Sequence, residues 1–305
     1  MGERAMPEQF PATVEEQFNR GRNLIYGYGV EPDIAKGAHW LEQAAAQNFA
    51  RAFIELGCMH FHGRHYPADQ QRGLELVRRA LSLGHTDALN TLGILYSLKE
   101  FPTFDMAIAR DYFRQAAEAD DYYGLFNHAL ELEMEGRYAE AVKWYRRAVE
   151  QSHDTAHYRL AGLLADGKGV PQDIEEACRL YDFAGDELQY PLGYFGYARL
   201  HDDPKYGRQD LETAAGFYFL AADKGIAQAQ LRYAELAELG YGDPDNPYDP
   251  YVWTRVAMEH LEEEDMARAQ ATLERIKSKL STEQLAEAEA EALSTIDFLR
   301  PFGRC

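Results

Sequence analysis

Three clusters of side chains in this chain have types and spacings that could do chemistry. His60, His62 and His65 fall in HFHGRHY, and imidazoles that close together are common ligands of a transition metal. His60, however, takes the place that Tyr96 holds one period later, a packing position. His153 and His157 stand four apart with Asp154 between them, a spacing that sets both on one helix face; HDTAH lacks the Glu of the zinc-hydrolase helix. Asp243, Asp245, Asn246 and Asp249 offer oxygen ligands in a Gly/Pro loop, but without the Gly at six and Glu at twelve of a calcium loop. Ser152, His153 and Asp154 are consecutive, whereas a catalytic triad is assembled in space. Gly27-Tyr28-Gly29 follows a helix and not a strand, so it is no phosphate loop. Cys58 and Cys178 have no activating neighbours. We therefore expect no catalytic residue, no metal and no cofactor.

The elements that carry these residues repeat. A small residue, a large one three later and Ala four after that recur as Gly37/Trp40/Ala44, Gly73/Leu76/Ala80, Ala109/Tyr112/Ala116, Ala141/Trp144/Ala148, Ala177/Leu180/Ala184, Ala214/Phe217/Ala221 and Pro250/Trp253/Ala257. The last Ala steps by 36, 36, 32, 36, 37 and 36 residues. A fixed period in this range marks a solenoid. Before each lies a second helix pattern ending in a large and a small residue: Arg20-Gly21, Leu56-Gly57, Leu92-Gly93, His128-Ala129, Leu160-Ala161, Tyr197-Ala198 and Tyr233-Ala234. Small residues at fixed places let two helices approach closely. Gly27, Gly167 and Gly240 supply left-handed C-caps, and Asp33 and Asp173 the next N-caps. The fourth unit replaces the loop with the short turn Glu135-Gly136-Arg137-Tyr138.

After Leu261 the period stops. Met266–Leu280 reads as an amphipathic helix with Leu273, Ile276 and Leu280 on one stripe. Ser281 and Gln284 form a capping box opening a helix over Leu285–Ile296. The expected organisation is a tail over 1–13, a repeat array over 14–261 and capping helices over 262–305.

The chain has 305 residues, 51 acidic against 31 basic side chains and a formal net charge of −20. Such a field repels nucleic acid and anionic membranes and favours a partner with a basic surface. An odd count of three cysteines, Cys58, Cys178 and Cys305, argues against a disulfide framework. No apolar run reaches membrane-spanning length and the N-terminus has no signal-peptide core, so the expected compartment is the cytoplasm.

The Leu-Gly pairs, the GYGV and GKGV loops with their following Asp, the run Lys36-Gly37…Trp40…Ala44-Ala45 and Asp223-Lys224-Gly225 resemble the Sel-one-like repeat, a relative of the tetratricopeptide repeat. The resemblance covers about Val14 to Leu261, and the fourth unit is closer to an ordinary tetratricopeptide repeat. It implies an all-α, right-handed α-solenoid of about seven helix-turn-helix repeats that binds a protein or peptide. Members serve as adaptors, and some are immunity proteins that block a secreted toxin, for example a type VI secretion effector. A cysteine-rich branch is linked to penicillin hydrolysis, but its regular cysteine pairs are missing here.

In such arrays the first helices line the concave side. Two residues before each large-small pair stand Phe18, Ile54, Asn90, Phe126, Tyr158, Phe195 and Leu231. They form either a continuous strip for a ligand or packing between neighbouring first helices. Arg22, Arg51, Tyr123, Arg199, Glu235 and Glu238 flank them and complete the candidate site, with polarity running from basic to acidic. The expected function is a protein-binding scaffold or adaptor.

Overall fold

The structure, a computed structural model, describes residues 13–299. Residues 1–12 of the expected tail, and Cys305, lie outside the described residues. Among the described residues there is no strand, and sixteen α-helices follow one another. The chain divides into two compact units between Glu135 and Gly136, in the short turn of the fourth repeat.

Unit 1 holds α1 (Val14–Tyr26), α2 (Ile34–Ala46), α3 (Ala50–His62), α4 (Gln70–Ser82), α5 (Asp87–Ser97), α6 (Met106–Glu118) and α7 (Tyr122–Met134). Unit 2 holds α8 (Tyr138–Glu150), α9 (Asp154–Asp166), α10 (Ile174–Asp186), α11 (Pro191–Asp202), α12 (Leu211–Asp223), α13 (Ala227–Leu236), α14 (Asp249–Ala257), α15 (Glu263–Lys277) and α16 (Thr282–Leu299). Within unit 1, α1 packs on α2, α3 on α4 and α5 on α6; within unit 2, α9 packs on α10, α11 on α12 and α13 on α14. These are the helical hairpins expected from the period.

The starts of five second helices, α2, α4, α6, α10 and α12, are fixed by one device. Asp33, Asp69, Asp173 and Asp210 each accept, through Oδ1, the backbone N–H three residues on, at 2.9, 2.8, 2.8 and 3.1 Å. Asp105 does the same for Ile108 at 3.1 Å. Each bond satisfies a helix-start donor that has no intrahelical acceptor. The short fourth turn has Arg137 at this place and no side-chain cap. Gly27 and Gly167 end α1 and α9 at φ 73° and 65°, where only glycine is unstrained. The small-residue frame is explained by close approach: a Cβ on Gly37 would lie 2.7 Å from the Gly21 carbonyl, and one on Gly73 2.7 Å from that of Gly57.

The C-terminal helices pack on the last hairpin of unit 2. Leu273 and Ile276 of α15 and Ala288, Ala292 and Ile296 of α16 are buried with Tyr251, Val252, Trp253 and Val256 of α14, and Leu280 packs partly against them. Ser281 N–H donates to Gln284 Oε1 at 2.9 Å and Gln284 N–H to Ser281 Oγ at 3.2 Å, the capping box read in the sequence. Helix α15 starts three residues earlier than expected, because Glu263, Glu264 and Asp265 suit the positive end of the helix dipole.

Candidate functional site

In unit 1, α1, α3 and α5 and the start of α7 bring six of the candidate residues to one groove of about 500 Å³: Phe18, Arg22, Arg51, Ile54, Asn90 and Tyr123. Phe18 is 1% exposed and forms the floor, its ring 5.2 Å from that of Phe49. The Arg22 and Arg51 guanidiniums sit over that ring at 5.8 and 5.1 Å, a cation–π arrangement that holds two charges above an apolar base. Arg22 Nε also pairs with Glu55 at 3.0 Å. Asn90 is buried, and its Oδ1 accepts from Asn127 Nδ2 at 2.8 Å, which ties α5 to α7. Tyr123 is 60% exposed at the rim. Asp87, Asp120 and Asp121 line the same groove, so its polarity changes from basic to acidic within unit 1. Phe126 is half-buried on α7 and does not line it.

In unit 2 a second groove of about 470 Å³ gathers Phe195, Arg199 and Leu231. Leu231 is its buried floor, and the Phe195 ring tilts against Tyr218 at 5.8 Å. Arg199 is exposed on the wall. Arg232 donates two bonds to Asp202, at 2.7 and 2.6 Å, and a third to Glu235 at 2.9 Å, and these partners raise its pKa further. Glu235 and Glu238 do not extend an acidic strip. Arg268 of α15 pairs with Glu235, while Arg275 and Lys279 pair with Glu238 at 2.7 and 2.6 Å. The capping helix neutralises the end that the sequence alone left acidic. Tyr158 stands apart from this groove, its ring 5.6 Å from Tyr181 and 6.3 Å from Tyr190.

None of the seven in-phase residues is exposed. They are floor and packing, and the exposed candidates lie one turn to either side: Arg51 and Tyr123 three residues before, Arg199 four after. Glu55, Arg232 and Arg268 line or buttress the grooves without having been singled out in the sequence. Their partners come from neighbouring helices, and no local pattern announces them.

The clusters with chemical potential are accounted for by packing. His60 stacks on Tyr66 at 4.1 Å, and His62 meets Phe101 edge-on at 5.5 Å. His157 Nδ1–H donates to the His153 carbonyl at 2.8 Å, and burial lowers the pKa of both rings. Asp243 Oδ1 accepts from Asp245 N–H at 2.9 Å and Asn246 Oδ1 from Tyr248 N–H at 3.0 Å, so these oxygens shape their own loop. Burial pushes the Cys58 thiol up to about 12 and raises that of Cys178, which leaves both poor nucleophiles. Among the described residues no three His, Cys, Asp or Glu side chains converge as metal ligands, and no helix is long and apolar enough to cross a membrane.

This arrangement of hairpins is an all-α repeat solenoid. The Sel1 repeat model matches residues 17–49, 51–85, 87–121, 137–153, 155–187 and 189–226, and the chain belongs to that family. The hairpin of α13 and α14 follows the last matched stretch in the same frame. Among solved structures, a Sel1 repeat protein from Oxalobacter formigenes superposes with a TM-score of 0.68 at 25% identity, over 87% of this chain and 77% of that one. The protective antigen c5321 of uropathogenic Escherichia coli, which displays the same repeat fold, gives 0.51 at 21% identity, over 93% and 69%. An exopolysaccharide production negative regulator from Rhizobium leguminosarum bv. viciae is 31% identical over 148 residues, 44% of this chain and 55% of the regulator. The chain thus spans about half the length of that relative. Sel1 repeat proteins generally mediate protein–protein interaction.

Proposed function

We propose that this chain is a non-catalytic scaffold or adaptor that holds a protein or peptide partner along its first-helix grooves. The observation that carries the reading is the convergence of Phe18, Arg22, Arg51, Ile54, Asn90 and Tyr123 on one groove from four helices. Residues so far apart in the chain line one surface only because the repeat places equivalent positions side by side. The groove offers what an extended peptide needs: an apolar floor, cations at one end, carboxylates at the other and an exposed aromatic at the rim. The net charge of −20 favours a partner with a basic surface and disfavours nucleic acid.

The test uses the partner recovered from native lysate and then purified. Arg51→Glu and Tyr123→Ala should each weaken its binding about tenfold, as groove-rim anchors do, with the melting temperature little changed. Full affinity in both variants would place the partner elsewhere on the molecule.

A further inference from the structure

Unit 2 holds another cavity, of about 530 Å³, that shares no lining residue with the groove of Phe195 and Arg199. Three of its walls are aromatic. Phe219 of α12 lies 5.2 Å from Tyr233 and 5.8 Å from Trp253, which are themselves 6.1 Å apart and perpendicular at 85°. Tyr233 and Trp253 are buried, yet Phe219 is 41% exposed over them.

The polar lining is of one sign. Glu212, Asp243, Asp249 and Glu291 all face this cavity, and among the described residues no Lys, Arg or His does. Asp249 accepts the Tyr233 hydroxyl at 2.7 Å and Glu291 accepts Asn246 Nδ2 at 2.7 Å, which orients both carboxylates; burial raises the Asp249 pKa, as expected of an acid with no cation beside it. Elsewhere in unit 2 Glu175, Glu176, Glu235, Glu238 and Glu289 each have an arginine partner. The four cavity carboxylates have no ion pair among the described residues.

Gly216 keeps the cavity open. It stands in the interior of α12, four residues after Glu212 and three before Phe219, so all three share a face. A Cβ built there meets nothing within 4 Å, and no close approach calls for glycine. A glycine in a helix interior is destabilising relative to alanine.

We propose that this cavity receives an arginine side chain from a basic segment of the partner protein. A guanidinium is planar and weakly hydrated, stacks on aromatic rings and donates several N–H groups to carboxylates at once. Three clustered rings and four unpaired carboxylates match both halves of that chemistry, and about 530 Å³ leaves room for a long side chain together with part of the segment that carries it. The proposal rests on the protein-binding reading above and adds a second contact, outside the grooves.

The experiment measures binding of a labelled Gly/Ser peptide carrying two arginines to the full chain by fluorescence anisotropy, beside sister peptides with lysine or citrulline. The arginine peptide should bind, the lysine peptide several-fold more weakly and the citrulline peptide not at all. Gly216→Leu projects a side chain into the cavity between Glu212 and Phe219, keeps the net charge and should weaken the arginine peptide about tenfold. Unaltered binding would assign the attraction to the general acidic field and overturn the site. Equal binding of the lysine peptide would overturn the guanidinium assignment. Should Gly216→Leu lower the melting temperature, the pair Glu212→Gln and Glu291→Gln provides the same test by charge, with unaltered binding again overturning the site. With the purified partner, lost affinity in Arg51→Glu but not in Gly216→Leu leaves the groove and removes the cavity; the reverse pattern removes the groove.

Discussion

One turn beyond the buried ring of Phe18, α1 carries Arg22; one turn beyond the buried Leu231, α13 carries Glu235. The two positions are equivalent in the repeat, yet they meet different neighbours. Arg22 looks into a groove lined by other first helices and pairs with Glu55 of α3 at 3.0 Å. Glu235 meets α15, whose Arg268 bonds it together with Arg232 of its own helix. In unit 1 the position one turn past the floor lines an open groove. At the end of unit 2 the same position locks a capping helix in place. The difference teaches that phase in a repeat assigns a direction to a side chain, while the next element along decides whether that direction is interface or core.

The strongest way to break this comparison is to remove the cap. Deleting the chain from Glu263 onward takes away Leu273, Ile276 and Ile296, which are buried against α14. At about 1.5–3 kcal/mol for each large apolar side chain, the loss approaches the whole stability margin of a domain. We expect aggregation or strong binding of a hydrophobic dye. A soluble truncation with an unchanged melting temperature would show that α15 and α16 do not seal the array.

A smaller effect separates floor from rim. Phe195 is half-buried against Tyr218, so Phe195→Ala should cost about 2–4 kcal/mol in chemical denaturation. Arg51→Glu, on the exposed rim, gives up its cation–π contact with Phe18 and should cost only about 0.5–1 kcal/mol. If both variants melt alike, the division of the strip into packing and contact positions fails.

The smallest effect concerns Glu238 and pH. Hydrogen bonds from Arg275 and then Lys279 hold its carboxyl below the ordinary value of 4.5. A depressed folded pKa means that the contribution is complete above 4.5 and is lost as pH falls through the lower folded value. Because both cations are at least half exposed, Glu238→Gln should cost only about 0.5–1 kcal/mol near neutrality. Stability curves of parent and variant should converge on acidification. Curves that stay parallel to low pH would remove this pair from the cap.

How far the fold could be read depended on range. The hairpins were legible because their causes are local: a small residue, a ring three later, an Ala four beyond, a left-handed glycine and an Asp cap. The floor positions Phe18, Ile54, Asn90, Phe195 and Leu231 were legible as a phase, since a fixed period puts equivalent residues in register. Their depth was not. Exposure depends on what the adjacent helix contributes, and Asn90 is buried because Asn127, thirty-seven residues on, bonds it.

By itself, then, the sequence determined the helices, their order, the family and the face on which each side chain lies, all consequences of dihedral preference and periodicity. Only the tertiary structure decided which faces remain open. Glu235 and Glu238 read as an acidic end until α15 supplies Arg268, Arg275 and Lys279. Phe219, Tyr233 and Trp253 lie far apart in the chain, and only the packing of α12, α13 and α14 brings their rings within 6.1 Å of one another. The physical reason is that an ion pair or a ring cluster is a relation between distant segments, whose strength depends on a distance that no single stretch of chain contains.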